Sequence, residues 1–255
     1  MSSPFPSPTH AWHTTSYDAI SPLRSELSAK GKTVIITGGG TGIGAETARS
    51  FAAAGASRIA LFGRREQPLL DTKASIESQN PGVEVFVAST DLTKEQEVKS
   101  SFEKFLGEKK VDILVSNAAM NGPPGASPKG PIQDTESSAF VEVVNQNVSS
   151  ALFVAQAFAQ HAAPDAAVIN VSSNAIHLPL GGVFSAYVVA KMAVLTLWDS
   201  FGAGHPQLSV YHVHPGVVDT AMNREAGGIA MMGGYEDHGM YQIPPDTSSF
   251  SANTY

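Results

Sequence analysis

The chain has 255 residues, a formal net charge of -7 and no cysteine. That length suits one α/β domain better than two, and the missing thiols exclude disulfide scaffolds, thiolate zinc clusters and cysteine nucleophiles together, leaving oxygen and nitrogen groups for any chemistry. The acidic balance, with no basic run to offset it, argues against nucleic acid as a partner and for a small molecule.

Residues 1–30 are rich in Pro, Ser, Thr and His and show no apolar period, so they are expected to be a tail that packs loosely or not at all. The first residues lack the basic start and apolar core of a secretory signal. Nowhere do the roughly 18 uninterrupted apolar residues of a membrane span occur, so a cytoplasmic location with no membrane partner is expected. His10 and His13 do not make a metal site without a wider ligand set, and no metal is expected.

From Lys32 the pattern changes to short β-branched runs alternating with Ala-rich amphipathic stretches: TVIIT, ETARSFAAAGA, RIALFG, a polar helix near 66–79, VEVFVAS, EQEVKSSFEKFLGE and VDILVSN. A helix around 135–162, the run AAVINVS, a helix from about 185 to 202 and LSVYHVHP follow. Six candidate strands joined by helices predict βαβ units in one Rossmann-like, doubly wound parallel sheet. The last 35 residues offer Gly, Pro and Ser clusters but no clear strand, so the sheet is expected to have an incomplete C-terminal edge.

The segment TVIITGGGTGIGAETARS sets Thr37, Gly38, Gly42 and Gly44 between an apolar strand and a helix. A glycine pattern alone is weak. With strand before and helix after, it supplies a tight turn, close backbone approach and free N–H groups at a helix start, which together bind a pyrophosphate. No Gly-Lys-Ser/Thr ending follows, which argues against a nucleoside triphosphate loop. The expected division is therefore a tail at 1–30, a dinucleotide-binding and catalytic domain at 31–222 and an atypical segment at 223–255.

The second strand ends LFGRRE. An NAD site usually carries an acidic residue there to hold the ribose hydroxyls, whereas a 2'-phosphate calls for a cation. Gly63 stands at that position and Arg64 and Arg65 follow, so NADP(H) is favoured over NAD(H). A solvated turn in which the arginines meet Glu66 is the bland alternative.

In SAYVVAKMAVLTLW, Tyr187 and Lys191 stand four apart at the start of a helix and project from one face. A nearby ammonium favours phenolate over phenol and is expected to bring Tyr187 toward working pH, where it can protonate a carbonyl or deprotonate an alcohol. Upstream, VINVSSN ends a strand with Ser172 and Ser173. A hydroxyl there can stabilise charge developing on the reacting oxygen; Ser173 is the choice and Ser172 the alternative.

These segments, in this order, resemble the short-chain dehydrogenase/reductase family in its TGxxxGxG and YxxxK form, from about Lys32 to Met222. The residues carrying the likeness are TGGGTGIG at 37–44, SNAA at 116–119, Asn147 in QNVSSALF, SSN at 172–174, the Tyr187–Lys191 pair and HPGVVDT at 214–220. The resemblance implies a carbonyl/alcohol oxidoreductase with a catalytic tetrad of Asn147, Ser173, Tyr187 and Lys191, Asn147 holding a water that joins Lys191 to solvent. Residue types alone read Asn147 as a capping or core hydrogen-bonding residue. For the cofactor it implies Thr37, Gly38, Thr41, Gly42, Ile43 and Gly44 at the turn, Arg64 at the 2'-phosphate and Asp91 at the adenine. It further implies Asn117 and Ala118 on the adenosine side, Tyr187 and Lys191 at the nicotinamide ribose, and Val218 and Thr220 at the carboxamide. A homo-oligomer is the assembly it suggests, and the wording of AVLTLWDSF and HPGVVDTAMN is similar to fungal secondary-metabolite members.

Three departures stand out. Ser116 and Ala119 replace the first Asn and the final Gly of the usual NNAG motif, and Ser173 precedes Tyr187 by fourteen residues, one more than is common. The family's closing helices and last strand are not recognisable in 223–255. The rival reading is accordingly a non-catalytic NADP(H)-binding protein; an extended-form nucleotide-sugar epimerase is disfavoured by the glycine spacing. The apolar stretch 226–234 is a candidate cover for an apolar substrate.

Overall fold

Every residue of Thr33–Thr37 (β1) is buried, as expected of a strand covered on both faces by helices. The other strands are Arg58–Gly63 (β2), Glu84–Ser89 (β3), Val111–Ser116 (β4), Ala162–Val171 (β5) and Ser209–Val213 (β6), of which β3 and β6 keep exposed residues as sheet edges do. The computed structural model describes residues 16–122, 132–177, 184–216 and 218–225. Its six strands form one parallel sheet in the order β3-β2-β1-β4-β5-β6, the doubly wound arrangement read from the sequence.

Alternation along the strands divides the core in two. Val34, Ile36, Ile59 and Leu61 point to the face covered by Gly42–Ala53 (α1) and Glu66–Gln79 (α2), where Ala48 and Ala52 let α1 come close and Leu69 and Ile76 fill the rest. Ile35, Phe62, Leu114 and Val168 point to the opposite face. It is covered by Glu95–Leu106 (α3), Ser137–His161 (α4) and Ser185–Gly204 (α5), with Phe102, Phe158 and Trp198 as the large fully buried rings. Each such ring withdraws roughly 150–250 Å² from water, so these three positions carry much of that layer's stability. The chain closes its described part with the short helix Ala221–Glu225 (α6).

Two expectations need correction. Residues 16–30 do not hang free: they form 3-10 turns at Asp18–Ile20 and Ser25–Leu27, Ala29 is buried and its N–H donates to the Ala54 carbonyl at 2.8 Å. Ile20 and Leu27 also wall an apolar cleft of about 260 Å³ against Phe51 of α1 and Val171 of β5. Secondly, β5 starts at Ala162 rather than at Ala166, because Ala162 pairs with Val111 before a register shift brings Ala167 beside Ile113. His10 and His13, the stretch 226–234 and most of the atypical segment 223–255 lie outside the described residues. Among the described residues, no helix is long and apolar enough to cross a membrane.

Candidate active site

The strand order reverses direction at β1, whose neighbours are β2 and β4. In such sheets a crevice opens beyond the carboxyl ends of the two strands at this switch point. Here those ends are Thr37 and Ser116, so the glycine turn and the SNAA segment face each other across it. Gly38 (φ 69°) and Gly42 (φ 56°) take the left-handed backbone that glycine permits cheaply. Gly44 needs closeness instead: a Cβ there would collide with the Gly38 carbonyl and fall 2.6 Å from Asn117 Nδ2. Thr41, exposed, stands at the N-cap of α1 without a side-chain bond there, and Ile43 lies in its first turn.

Two side chains lock the turn to the segment after β4. The Thr37 hydroxyl donates to the Val115 carbonyl (3.3 Å) and accepts from the N–H groups of Asn117 (2.9 Å) and Ala118 (3.1 Å). Asn117 Nδ2 in turn donates to the Thr37 carbonyl at 2.9 Å. The sequence assigned Asn117 only to the adenosine side; its bracing of the turn was missed, and no local pattern announces a bond across eighty residues.

At the ends of β2 and β3, the Ser89 hydroxyl donates to the Arg64 carbonyl at 3.0 Å and Arg64 itself is exposed. Burial raises the Asp91 carboxyl, but bonds from the Thr93 hydroxyl and N–H and the charges of Arg64 and Lys94 outweigh it, leaving Asp91 below its ordinary value. An ionised Asp91 and a cation therefore share one corner of the crevice. On the far side, Val218 is buried, and the Thr220 methyl is what a Cβ on Gly42 would meet at 3.1 Å, so the chain after β6 closes over the glycine turn.

The predicted tetrad converges. Ser173, just beyond β5, lies near enough to Tyr187 to favour its ionised form, so the additional residue between them does not part their hydroxyls. Ser172 instead turns its hydroxyl into the protein, buried with no bonding partner among the described residues. Phe184, in a left-handed conformation (φ 70°) that a bulky side chain rarely adopts, turns the chain into α5 one turn before Tyr187. Lys191 follows on the same face, 5 % exposed, with Nζ 5.8 Å from the Tyr187 ring centre and donating to the Val171 carbonyl at 2.6 Å.

Burial lowers Lys191 to about 8. Burial also pushes the Tyr187 phenol above its ordinary value, only partly offset by the neighbouring Ser173 hydroxyl. The expectation that the ammonium brings the phenol down is thus reversed in the protein alone, because at this range the loss of water outweighs the neighbouring charge. Asn147 is buried and fully engaged: Oδ1 accepts from the Met120 N–H (3.0 Å), and Nδ2 donates to the carbonyls of Met120 and Val143 (both 2.8 Å). It ties α4 to the chain after β4, as its residue type alone suggested, and with Lys191 it lines a cavity of about 10 Å³. One contact was not foreseen: the Asn174 N–H donates to Nδ1 of His214 at 2.9 Å, and burial, with His177 second, holds that imidazole down at about 4.

A dinucleotide-type crevice with a Ser, Tyr and Lys gathered at its mouth defines a nucleotide-dependent oxidoreductase fold. The family model described as short chain dehydrogenase matches residues 32–228, and the chain belongs to that family, whose members bind NAD(P) and act on CH–OH groups. It is 29% identical over 221 residues to a short chain dehydrogenase/reductase of Claviceps purpurea, covering 84% of this chain and 72% of that protein. The short chain dehydrogenase pigC of Monascus ruber is 33% identical over 216 residues, with 82% and 69% covered. Among solved structures, a short chain dehydrogenase from Burkholderia cenocepacia in complex with NADP superposes with a TM-score of 0.67 at 26% identity, covering 76% of this chain and 77% of that one.

Proposed function

We propose that the chain is an NADP(H)-dependent oxidoreductase interconverting a ketone or aldehyde and an alcohol, with Tyr187 as general acid and base. The observation that carries the reading is the gathering of the Ser173 hydroxyl, the Tyr187 phenol and, behind the phenol ring, the buried Lys191. A carbonyl oxygen set against both hydroxyls accepts from each, so charge developing on it is stabilised where water is scarce. The phenol, raised by burial, is protonated at neutral pH and so is supplied as the acid for reduction. The Lys191 ammonium favours the phenolate left behind and thereby the return step. Asn147 fixes the wall through which the proton is replaced.

The residues fit a bound dinucleotide: Gly38, Gly42 and Gly44 permit the positive-φ, closely packed turn that side chains would force open, with the N-terminal N–H groups of α1 behind it. When bound, the nicotinamide supplies or accepts the hydride. Arg64 recognises the 2'-phosphate, Asp91 the adenine, Asn117 and Ala118 the adenosine side, Lys191 the ribose and Val218 with Thr220 the carboxamide. The missing carboxylate at Gly63 and the exposed Arg64 support NADP(H), as does the NADP complex of the Burkholderia protein. The likeness to two fungal short chain dehydrogenases supports a place in a fungal secondary-metabolite pathway; the reaction is assigned to a small-molecule substrate in the cytoplasm.

Fluorescence titration with NADPH and NADH, comparing wild type with Arg64→Ala, tests the cofactor: NADPH affinity is expected to fall roughly 10–100-fold, for one charged hydrogen-bonding partner, and NADH affinity to stay. A panel of carbonyls with wild type and Tyr187→Phe tests the chemistry, turnover falling about 10²–10⁴-fold with binding retained. Tight NADPH binding with no turnover on any carbonyl assigns the chain to the non-catalytic alternative.

A further inference from the structure

The cavity beside Lys191 has a second polar wall. Asn170, on β5 and 1 % exposed, lines it with Lys191 and Asn147. Its Nδ2 lies 3.0 Å from Nδ1 of His212, its register partner on β6, and Nε2 of that imidazole lies 2.9 Å from Oδ1 of Asp199 on α5. The Asp199 side chain is 58% exposed and that of His212 22%. A line of hydrogen bonds thus runs from the surface of α5, through the sheet edge, to the wall of the cavity.

The donors and acceptors fix its sense. A carboxylate only accepts, so Nε2 of His212 carries the proton; in the neutral ring Nδ1 then only accepts, and Asn170 must offer it Nδ2. The amide is left presenting its oxygen to the cavity. Three of the other polar walls are committed elsewhere: Asn147 to Met120 and Val143, Ser150 to the Gln146 carbonyl, Thr37 to Val115 and the Asn117 and Ala118 N–H groups. Ser116 adds a neutral hydroxyl to the lining, and Lys191 Nζ donates one bond to the Val171 carbonyl. Lys191 is the one charged side chain among the described residues lining this space, and at about 10 Å³ the space approaches the size of a single water molecule. Only dipoles are available to offset the ammonium here, and the Asn170 oxygen is one of correct sign.

We propose that Asn170 is a positioning residue for Lys191: oriented by His212 and Asp199, its amide oxygen faces the cavity and holds the ammonium in its charged form beside Tyr187. The inference rests on the reading in which that charge serves Tyr187, and its test does not need turnover. Lysines labelled with ¹³C at Cε are titrated by NMR in the full chain without cofactor, the Lys191 signal being assigned by its loss in Lys191→Arg. Asn170→Ala removes the acceptor and is expected to lower the Lys191 midpoint by about one pH unit, the scale for one hydrogen bond to a charged group.

Asp199→Asn, at an exposed position, lets His212 take either tautomer and Asn170 either orientation, so the midpoint falls in the same direction by less, with the melting temperature unchanged. A merely structural role lowers the melting temperature of Asn170→Ala and leaves both midpoints at the wild-type value; that result overturns the proposal. If the midpoints move while no carbonyl is turned over, the assignment of Asn170 stands and the catalytic reading falls.

Discussion

Gly44 offers the sharpest test of the crevice because its role is closeness rather than backbone sign. A Cβ at this position would lie 2.8 Å from the Gly38 carbonyl carbon and 2.6 Å from Asn117 Nδ2, with the Gly38 oxygen nearer still. Two of those atoms are backbone, so the collision cannot be relieved by a side-chain rotation; the turn must open. Overpacking of this kind costs about 1–3 kcal/mol, which in a domain of this size lowers the melting temperature by roughly 2–12 °C. Relaxation that eases the strain draws the turn away from its binding geometry, so Gly44→Ala is expected to weaken NADPH binding by about 5–150-fold. Gly204→Ala is the control: nothing lies within 4 Å of its added Cβ, and stability should hold or rise by up to about 1 kcal/mol. Calorimetry and fluorescence titration of the two variants decide the matter; a Gly44→Ala protein with wild-type melting and wild-type affinity refutes the account of the turn.

Other outcomes follow from the same geometry. Because burial lowers Lys191 from 10.5 to about 8, the unfolded chain holds more protons than the native one between those values; stability should rise with pH across that window by about 3 kcal/mol. Denaturant melts at stepped pH should show the rise in wild type and not in Lys191→Met. Ser173→Ala should lower turnover by about 10²-fold or more, whereas Ser172→Ala, which removes a buried hydroxyl with no partner among the described residues, should leave steady-state rates unchanged. Thr37→Val leaves two N–H groups without their acceptor and should cost about 2–5 kcal/mol, read from urea midpoints.

The helices were legible because each is long and periodic: the polar stretch near 66–79 is α2 as Glu66–Gln79, and the 135–162 and 185–202 stretches are α4 and α5 within two residues at each end. Glycines at 38, 42 and 44 were legible because strand, turn and helix are adjacent in the chain. What the sequence withheld depends on register. That Asn170 stands beside His212, or that Thr37 holds the N–H groups of Asn117 and Ala118, follows from which strands pair and at what offset, and side-chain periodicity is silent on offset. Tyr187 and Lys191 stand near the start of α5 as their spacing suggested, while the direction of the tyrosine's shift was not legible, because four-residue spacing reports a neighbouring charge and not the burial that opposes it. The contacts of Ile20 and Ala29 within the loosely packed 16–30 were not legible, because each packs singly and leaves no period to find.

Consider finally the bond from the Asn174 N–H to His214. It ties the turn that carries the serine to the chain just beyond β6, across the sheet and not along the chain. The hydroxyl therefore inherits its place from the pairing of β5 with β6. A substitution that shifted that pairing would reach the chemistry without altering any residue that meets the substrate.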